Sequence, residues 1–310
     1  MTRLINNWLS HFDVAISRRS HIVELETELQ ALRLQAQIHT QLPQAITRQE
    51  IDSMRIDLLR HQIATKWNLI DYLVRKQTNF ERVRKCPLCN YEGAQEEFRT
   101  YATQCIFEGG TLTRHQCPVC DVIFGADKMF HLTDAELTQD YVWHYRAFSE
   151  GDSTELELRA FHAMKPTKQG IYLNYGAGSW SKTIQILRGE GWNVYAYEPH
   201  SASSSGEAHI ITDRETLSTM RFDGIFSNNL LEHLRYPVQE LIFMRSLLKP
   251  VALMSHATPC FEYLYEYTRF HLFFFLGRSR GVLAKKAGLT VQDFVVDGDF
   301  MNCIYKSAEQ

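Results

Sequence analysis

Two Cys-x-x-Cys pairs, Cys86-Pro-Leu-Cys89 and Cys117-Pro-Val-Cys120, have the spacing of metal knuckles. Each pair aims two thiolates at one point, and two pairs complete a tetrahedral four-sulfur zinc site. Four thiolates fill the coordination sphere, so the expected role of the ion is structural. A redox dithiol and a set of unrelated buried cysteines are the competing readings, and the doubled spacing argues against both. Cys105 lies between the pairs and is not expected to be a ligand. Cys260 and Cys303 are expected in the core or in a pocket wall.

A second constellation lies in Ile171-Tyr-Leu-Asn-Tyr-Gly-Ala-Gly-Ser-Trp180 and Asn193-Val-Tyr-Ala-Tyr-Glu198. The apolar run from Ile171 to Leu173 reads as a buried parallel strand. It breaks at Gly176, Ala177 and Gly178. A helix is expected from about Ser181 to Gly189, then a strand over Trp192 to Tyr197 that ends in Glu198. Glycines let a ligand approach the backbone, and a helix N-terminus offers unpaired N–H groups. A carboxylate at the tip of the next strand can accept both hydroxyls of a ribose. The third glycine of a nicotinamide fingerprint is missing and the turn carries Trp180. That disfavours a pyrophosphate and suits a nucleoside without phosphate.

Downstream, Phe222 to Asn228 reads as a strand, followed by Leu230-Leu-Glu-His-Leu-Arg-Tyr-Pro237 and a helix over about Val238 to Leu248. Lys249-Pro250 should end that helix, and Val251 to His256 should form the next strand. His271-Leu-Phe-Phe-Phe275 precedes a helix ending at Ala287-Gly288-Leu289. In this order the segments resemble the class I S-adenosylmethionine-dependent methyltransferases, in the branch with "LEHL..P", "LLKPGG" and "H..FF…AG" signatures. The resemblance covers about residues 168–306. It implies a Rossmann-like α/β fold with a seven-stranded, mostly parallel sheet. A closing hairpin, Leu289 to Val296 and Phe300 to Tyr305 around Asp297-Gly-Asp299, would supply the one antiparallel strand. The implied S-adenosylmethionine site comprises Asn174, Tyr175, Gly176, Ala177, Gly178, Glu198, Pro199, Asp213, Asn228 and Asn229. Two departures stand out. The usual acid opening the first motif is Asn174, which weakens an implied contact to the ligand's amino group. The usual Gly-Gly after Lys-Pro is Val251-Ala252.

Methyl transfer from a sulfonium is an in-line displacement. The protein mainly holds the acceptor about 3 Å from the methyl carbon. A hydroxyl acceptor also needs a base, and histidine titrates near neutral pH. His233, His256 and His271 are all expected near the carboxyl ends of strands, with His233 ranked first and a capping or packing role as its alternative.

The positioning elements divide the chain into four parts. Residues 1–80 read as a helical arm, either a short coiled coil that joins subunits or amphipathic helices packed on their own chain. Thr47-Arg-Gln-Glu50 has the spacing of a capping box and opens its second helix, to about Lys76. Residues 81–130 read as a zinc ribbon, with Gly109-Gly110 turning between two short strands. Residues 131–167 form a linker with cap helices, in which Tyr141, His144, Tyr145 and Arg146 either face the pocket or pack the junction. Residues 168–310 are the S-adenosylmethionine-binding domain.

The formal charge of −3 over 310 residues gives no bulk basic field toward nucleic acid or anionic lipid. No apolar run is long enough for a membrane span or a signal peptide, so a cytoplasmic protein is expected. The expected partner is a small hydroxylated acceptor, a sugar or glycan precursor by resemblance. The alternatives are a non-catalytic scaffold with a ligand-binding domain and an RNA-modifying methyltransferase; the acidic balance argues against the latter.

Overall fold

The computed structural model describes residues 23–33, 46–76, 83–149, 151–178, 181–199, 209–264 and 267–308. It separates into two units, Met1–Arg55 and Ile56–Gln310. In the first, residues 23–33 are helical (α1), with Val23, Leu25, Leu29 and Leu32 exposed. The remainder of the heptad-like stretch lies outside the described residues. α2 (Arg48–Lys76) opens on the expected capping box. Thr47 N–H donates to Glu50 Oε2 at 2.8 Å, and Glu50 N–H donates back to Thr47 Oγ1 at 3.2 Å.

The later part of α2 belongs to the second unit, not to a separate arm. Ile63 and Trp67 are fully buried there. Trp67 Nε1 donates to Asp140 Oδ1 at 3.3 Å, and Arg269 Nε donates to Asp140 Oδ2 at 2.6 Å. Full burial of one large apolar side chain contributes about 1.5–3 kcal/mol, which fixes this half of the helix to its own chain.

The cysteine region follows. β1 (Val83–Lys85) and β2 (Glu92–Ala94) form a small hairpin around the first cysteine pair. β3 (Arg99–Gln104), β4 (Thr111–Gln116) and β5 (Ile123–Gly125) form an antiparallel sheet, with Gly109-Gly110 between β3 and β4 as expected. Then come α3 (Asp127–Phe130), α4 (Asp134–Ala147) and α5 (Thr154–Ala163).

The chain next builds β6 (Ile171–Tyr175), α6 (Lys182–Gly189), β7 (Asn193–Tyr197), β8 (Ile210–Ile211), α7 (Arg214–Ser218), β9 (Phe222–Asn228), α8 (Pro237–Ser246) and β10 (Leu248–Ala257). It ends with β11 (Phe273–Phe274), α9 (Ser279–Lys286), β12 (Leu289–Asp297) and β13 (Phe300–Ser307). Seven strands form one sheet in the order β12-β13-β10-β9-β6-β7-β8. β6 to β10 run parallel; β13 is antiparallel to both its neighbours. The expected sheet, with its single reversed strand, is therefore present.

Alternating residues of each central strand feed opposite faces. Leu173, Ile225 and Met254 pack with Leu241 of α8 and Leu283 of α9. Tyr172, Val194 and Phe226 pack with Phe161 of α5 and with Ile184 and Leu187 of α6. The strand order reverses at β6, whose followers lie on one side and β9 on the other. A parallel sheet opens a ligand crevice at the carboxyl ends of the strands at such a point.

One local expectation shifts. Lys249-Pro250 lies at the start of β10, not at a helix end, because that strand carries an irregularity between Leu248 and Leu253. Within it Val251 is 99% exposed at a φ of +60°. β11 lies outside the main sheet. It pairs antiparallel with β5 and becomes the fourth strand of the cysteine-region sheet.

Candidate active site and cysteine centre

β6 delivers Asn174 and Tyr175 to the crevice, and the chain then turns through Gly176, Ala177 and Gly178. Gly176 has φ +76° and Gly178 φ +72°, conformations that side chains other than glycine rarely adopt. A Cβ at Gly176 would lie 2.8 Å from Leu230 Cδ1, so the backbone must pass close there. A Cβ at Gly178 would meet nothing within 4 Å among the described residues. Gly176 N–H donates to Tyr197 O at 2.9 Å, tying the turn to the end of β7. Glu198 follows directly, and Gly178 N–H donates to its Oε2 at 3.0 Å. The glycine turn thus orients the carboxylate. Pro199 is exposed beside it. Trp180 lies outside the described residues.

The other expected ligand contacts divide. Asn174 is buried and its Nδ2 donates to Glu157 Oε2 at 2.8 Å. The Tyr175 hydroxyl instead bonds Glu240 of α8, which also holds Arg214 at 2.7 Å. Burial raises the Tyr175 phenol well above its usual range. Asp213 caps α7, its Oδ2 accepting Thr216 N–H at 2.6 Å. That hydrogen bonding holds its carboxyl below the usual range. At the end of β9 the Asn228 Nδ2 is buried with no hydrogen-bond partner among the described residues. Asn229 adopts φ +50° and its N–H donates to Ala257 O at 2.9 Å.

A histidine pair stands where β9 and β10 end. His233 and His271 lie edge to face with ring centres 4.9 Å apart. Tyr141 of α4 stands 3.3 Å from His233 Nδ1 through its hydroxyl and stacks on Phe270 at 4.1 Å. So Tyr141 reaches the site, whereas His144 is buried against Phe107, Phe148 and Phe270 at the junction. His271 Nδ1 lies 3.5 Å from Cys260 Sγ, which makes Cys260 part of this wall. His256 does not join the pair. It is enclosed between strands with Ser227 Oγ at 2.8 Å from its Nδ1, and burial depresses its pKa to about 3.

Glu232, next to His233, was given no role by the sequence. It is fully buried and accepts Thr258 Oγ1–H at 2.6 Å, and desolvation raises its pKa to about 7. Its place in the Leu-Glu-His run was the only signal available. Glu157 gave none, since an acid on an amphipathic helix reads as a solvated residue.

The four knuckle cysteines converge. Cys86 and Cys120 sulfurs are 3.7 Å apart, Cys89 and Cys117 sulfurs 3.6 Å, and all four lie within 4.8 Å of one another. A tetrahedron with metal–sulfur bonds of about 2.3 Å has edges of about 3.8 Å, so the donor set fits a zinc ion. The two knuckles are built alike. Cys86 N–H bonds Tyr91 O and Asn90 N–H bonds Cys86 O; Cys117 N–H bonds Val122 O and Asp121 N–H bonds Cys117 O. Asn90 and Asp121 both take φ +68°, a conformation that Asn and Asp tolerate.

Residues 143–293 match the family model of a methyltransferase domain. The matched stretch is just under half of the chain and runs from α4 into β12. Comparison with curated proteins found no match. Among solved structures, the 1,6-didemethyltoxoflavin-N1-methyltransferase of Burkholderia thailandensis, with S-adenosylhomocysteine bound, aligns at a TM-score of 0.47 and 16% identity. The alignment covers 64% of this chain and 96% of that one. The mitomycin 7-O-methyltransferase aligns at 0.42 and 14% identity over 58% of this chain and 60% of its own. A methyltransferase of Streptomyces caelestis aligns at 0.39 and 12% identity over 53% and 95%. At these scores the likenesses carry no argument about site or substrate.

Proposed function

We propose that this chain transfers a methyl group from S-adenosylmethionine to a small hydroxylated acceptor of the sugar or glycan-precursor type. The observation that carries this reading is the Gly178–Glu198 hydrogen bond at the strand-order reversal. It sets a fixed carboxylate beside an open glycine backbone, the combination a ribose and a methionine moiety need. Asn228, whose buried Nδ2 has no partner among the described residues, offers a further donor, and Asp213 remains a candidate for the adenine amino group.

S-adenosylmethionine supplies the methyl group. Glu198 holds the ribose hydroxyls, and Gly176 and Gly178 admit the methionine moiety. His233 takes the acceptor's proton, with His271 beside it and the Tyr141 hydroxyl against its Nδ1. The four thiolates hold a structural zinc ion. A reducing, cytoplasmic setting suits those free thiols. The apolar residues exposed on α1 support self-association through the N-terminal helices.

The test is incubation with methyl-labelled S-adenosylmethionine and a panel of nucleotide sugars, with mass spectrometry of the products. A labelled sugar product is the expected result. Binding of the methyl donor without transfer to any acceptor would instead identify a ligand-binding scaffold.

A further inference from the structure

We propose that Glu157, on the helix before the first strand of the main sheet, is the carboxylate that receives the ammonium group of the methyl donor. The inference rests on the methyl-donor reading above and names a residue that reading does not include.

Asn174 is the last but one residue of β6 and stands two positions before Gly176. Its side chain is 1% exposed, so its amide must be satisfied within the protein. The partner is Glu157 Oε2 at 2.8 Å. The other carboxylate oxygen accepts Ser153 Oγ–H at 2.7 Å. Both donors are neutral. No lysine or arginine pairs with Glu157 among the described residues, and the neighbouring cations are engaged elsewhere. Lys182 pairs with Asp152 at 2.6 Å, and Arg159 pairs with Asp297. A half-buried carboxylate oriented by two neutral donors, without a cation, is set up to take a cationic ligand.

The geometry also accounts for the amide at 174. An aspartate there would place two carboxylates about 3 Å apart, and like charges at that distance push one pKa sharply upward. Asparagine avoids that conflict and donates a hydrogen bond that aims the glutamate. The negative charge is therefore kept at the end of β6 but carried by α5. Two acids then flank the glycine turn: Glu198 from β7 and Glu157 from α5. One suits the ribose hydroxyls; the other suits the positive end of the amino acid.

The experiment compares two ligands by calorimetry. S-adenosylmethionine carries the ammonium group, and 5′-methylthioadenosine shares the nucleoside and sulfur but lacks the amino acid. Glu157→Gln should weaken S-adenosylmethionine binding at least about tenfold, the worth of one charged hydrogen bond, and leave methylthioadenosine binding unchanged. The exchanged pair Glu157→Gln with Asn174→Asp should recover most of that loss, because it returns one charge to the same place. Unchanged S-adenosylmethionine affinity in Glu157→Gln overturns the inference. So does an equal loss for both ligands, which would mean a structural role. If the wild-type protein binds neither ligand, the methyl-donor reading itself fails.

Discussion

Asp121 and Arg278 join the second cysteine knuckle to the start of α9. The Asp121 carboxylate accepts Arg278 Nε–H at 2.8 Å, Nη2–H at 2.9 Å and the backbone N–H at 3.0 Å. Arg114, 1% exposed on β4, holds the carbonyls of Thr268 at 2.6 Å and His271 at 3.1 Å. Gly125 N–H bonds Leu272 O at 3.1 Å. The segment that carries His271 is thus fastened to the cysteine centre, whereas the Gly178–Glu198 hydrogen bond ties the turn after β6 to the end of β7. Elemental analysis should find one zinc per chain. Strong chelation should lower the methyl-transfer rate before it affects affinity for S-adenosylmethionine, because binding of the ion contributes folding energy mainly to this sheet. Equal loss of both would mean that the ion supports the whole fold.

Glu198→Ala should weaken S-adenosylmethionine binding by at least about tenfold, since a charged hydrogen bond is worth about 1.5–3 kcal/mol. Gly178→Val should do worse. Its side chain would occupy the place proposed for the methionine moiety and would carry a branched Cβ at φ +72°. Titration calorimetry on folded variants decides this; unchanged affinity in both would place the pocket elsewhere.

His233→Ala should leave that affinity alone and lower kcat by about 100-fold or more, the usual worth of a positioned base. The acid side of the pH–rate profile should flatten with it. A His271→Ala variant should show a smaller effect. Single-turnover rates across pH check both, and an unaltered profile in His233→Ala would rule it out as the base.

Glu232 gives a pH signature in stability. Burial raises its carboxyl from 4.5 to about 7. The folded state then binds more protons than the unfolded state between those values, so this group's contribution is full below pH 4.5 and is lost as pH rises to about 7. The loss is on the order of 3 kcal/mol at 1.36 kcal/mol per unit. Buried His256, depressed to about 3, acts with the opposite sign, since the unfolded state binds the extra proton between about pH 3 and 6.5. Comparing wild type with Glu232→Gln cancels the His256 term. The variant should gain stability relative to wild type as pH rises from 5 to 8, measured by urea unfolding. A constant difference would show that the carboxyl titrates normally.

Val251→Gly should raise the melting temperature. A β-branched residue at φ +60° costs about 1–2 kcal/mol, and Val251 is too exposed to recover that through packing. The greater freedom of glycine in the unfolded chain offsets part of the gain, leaving about 1 kcal/mol. Scanning calorimetry showing no increase would mean that the turn relaxes in solution.

Much of this was legible because the signals are local. The cysteine pairs announce their geometry through spacing alone, and the break from apolar strand to Gly-Ala-Gly to helix marks the turn that follows β6. Glu157 was invisible for the opposite reason. Its meaning comes from Asn174, seventeen positions later in the chain and adjacent only in space. Trp67 was read as part of an arm, since a periodic helix does not state what it packs on. Phe273 and Phe274 read as an apolar run, and nothing in that run says that its partner is β5.

That pairing has a consequence for how the protein is made. β5 is complete about 150 residues before β11 leaves the ribosome. At the usual pace of synthesis that interval is on the order of ten seconds. Throughout it the edge formed by Ile123 and Phe124, buried in the finished protein, has no strand to cover it. An apolar open edge invites pairing with other chains. The cysteine region is therefore encoded early but completes its own sheet only when the chain is nearly finished.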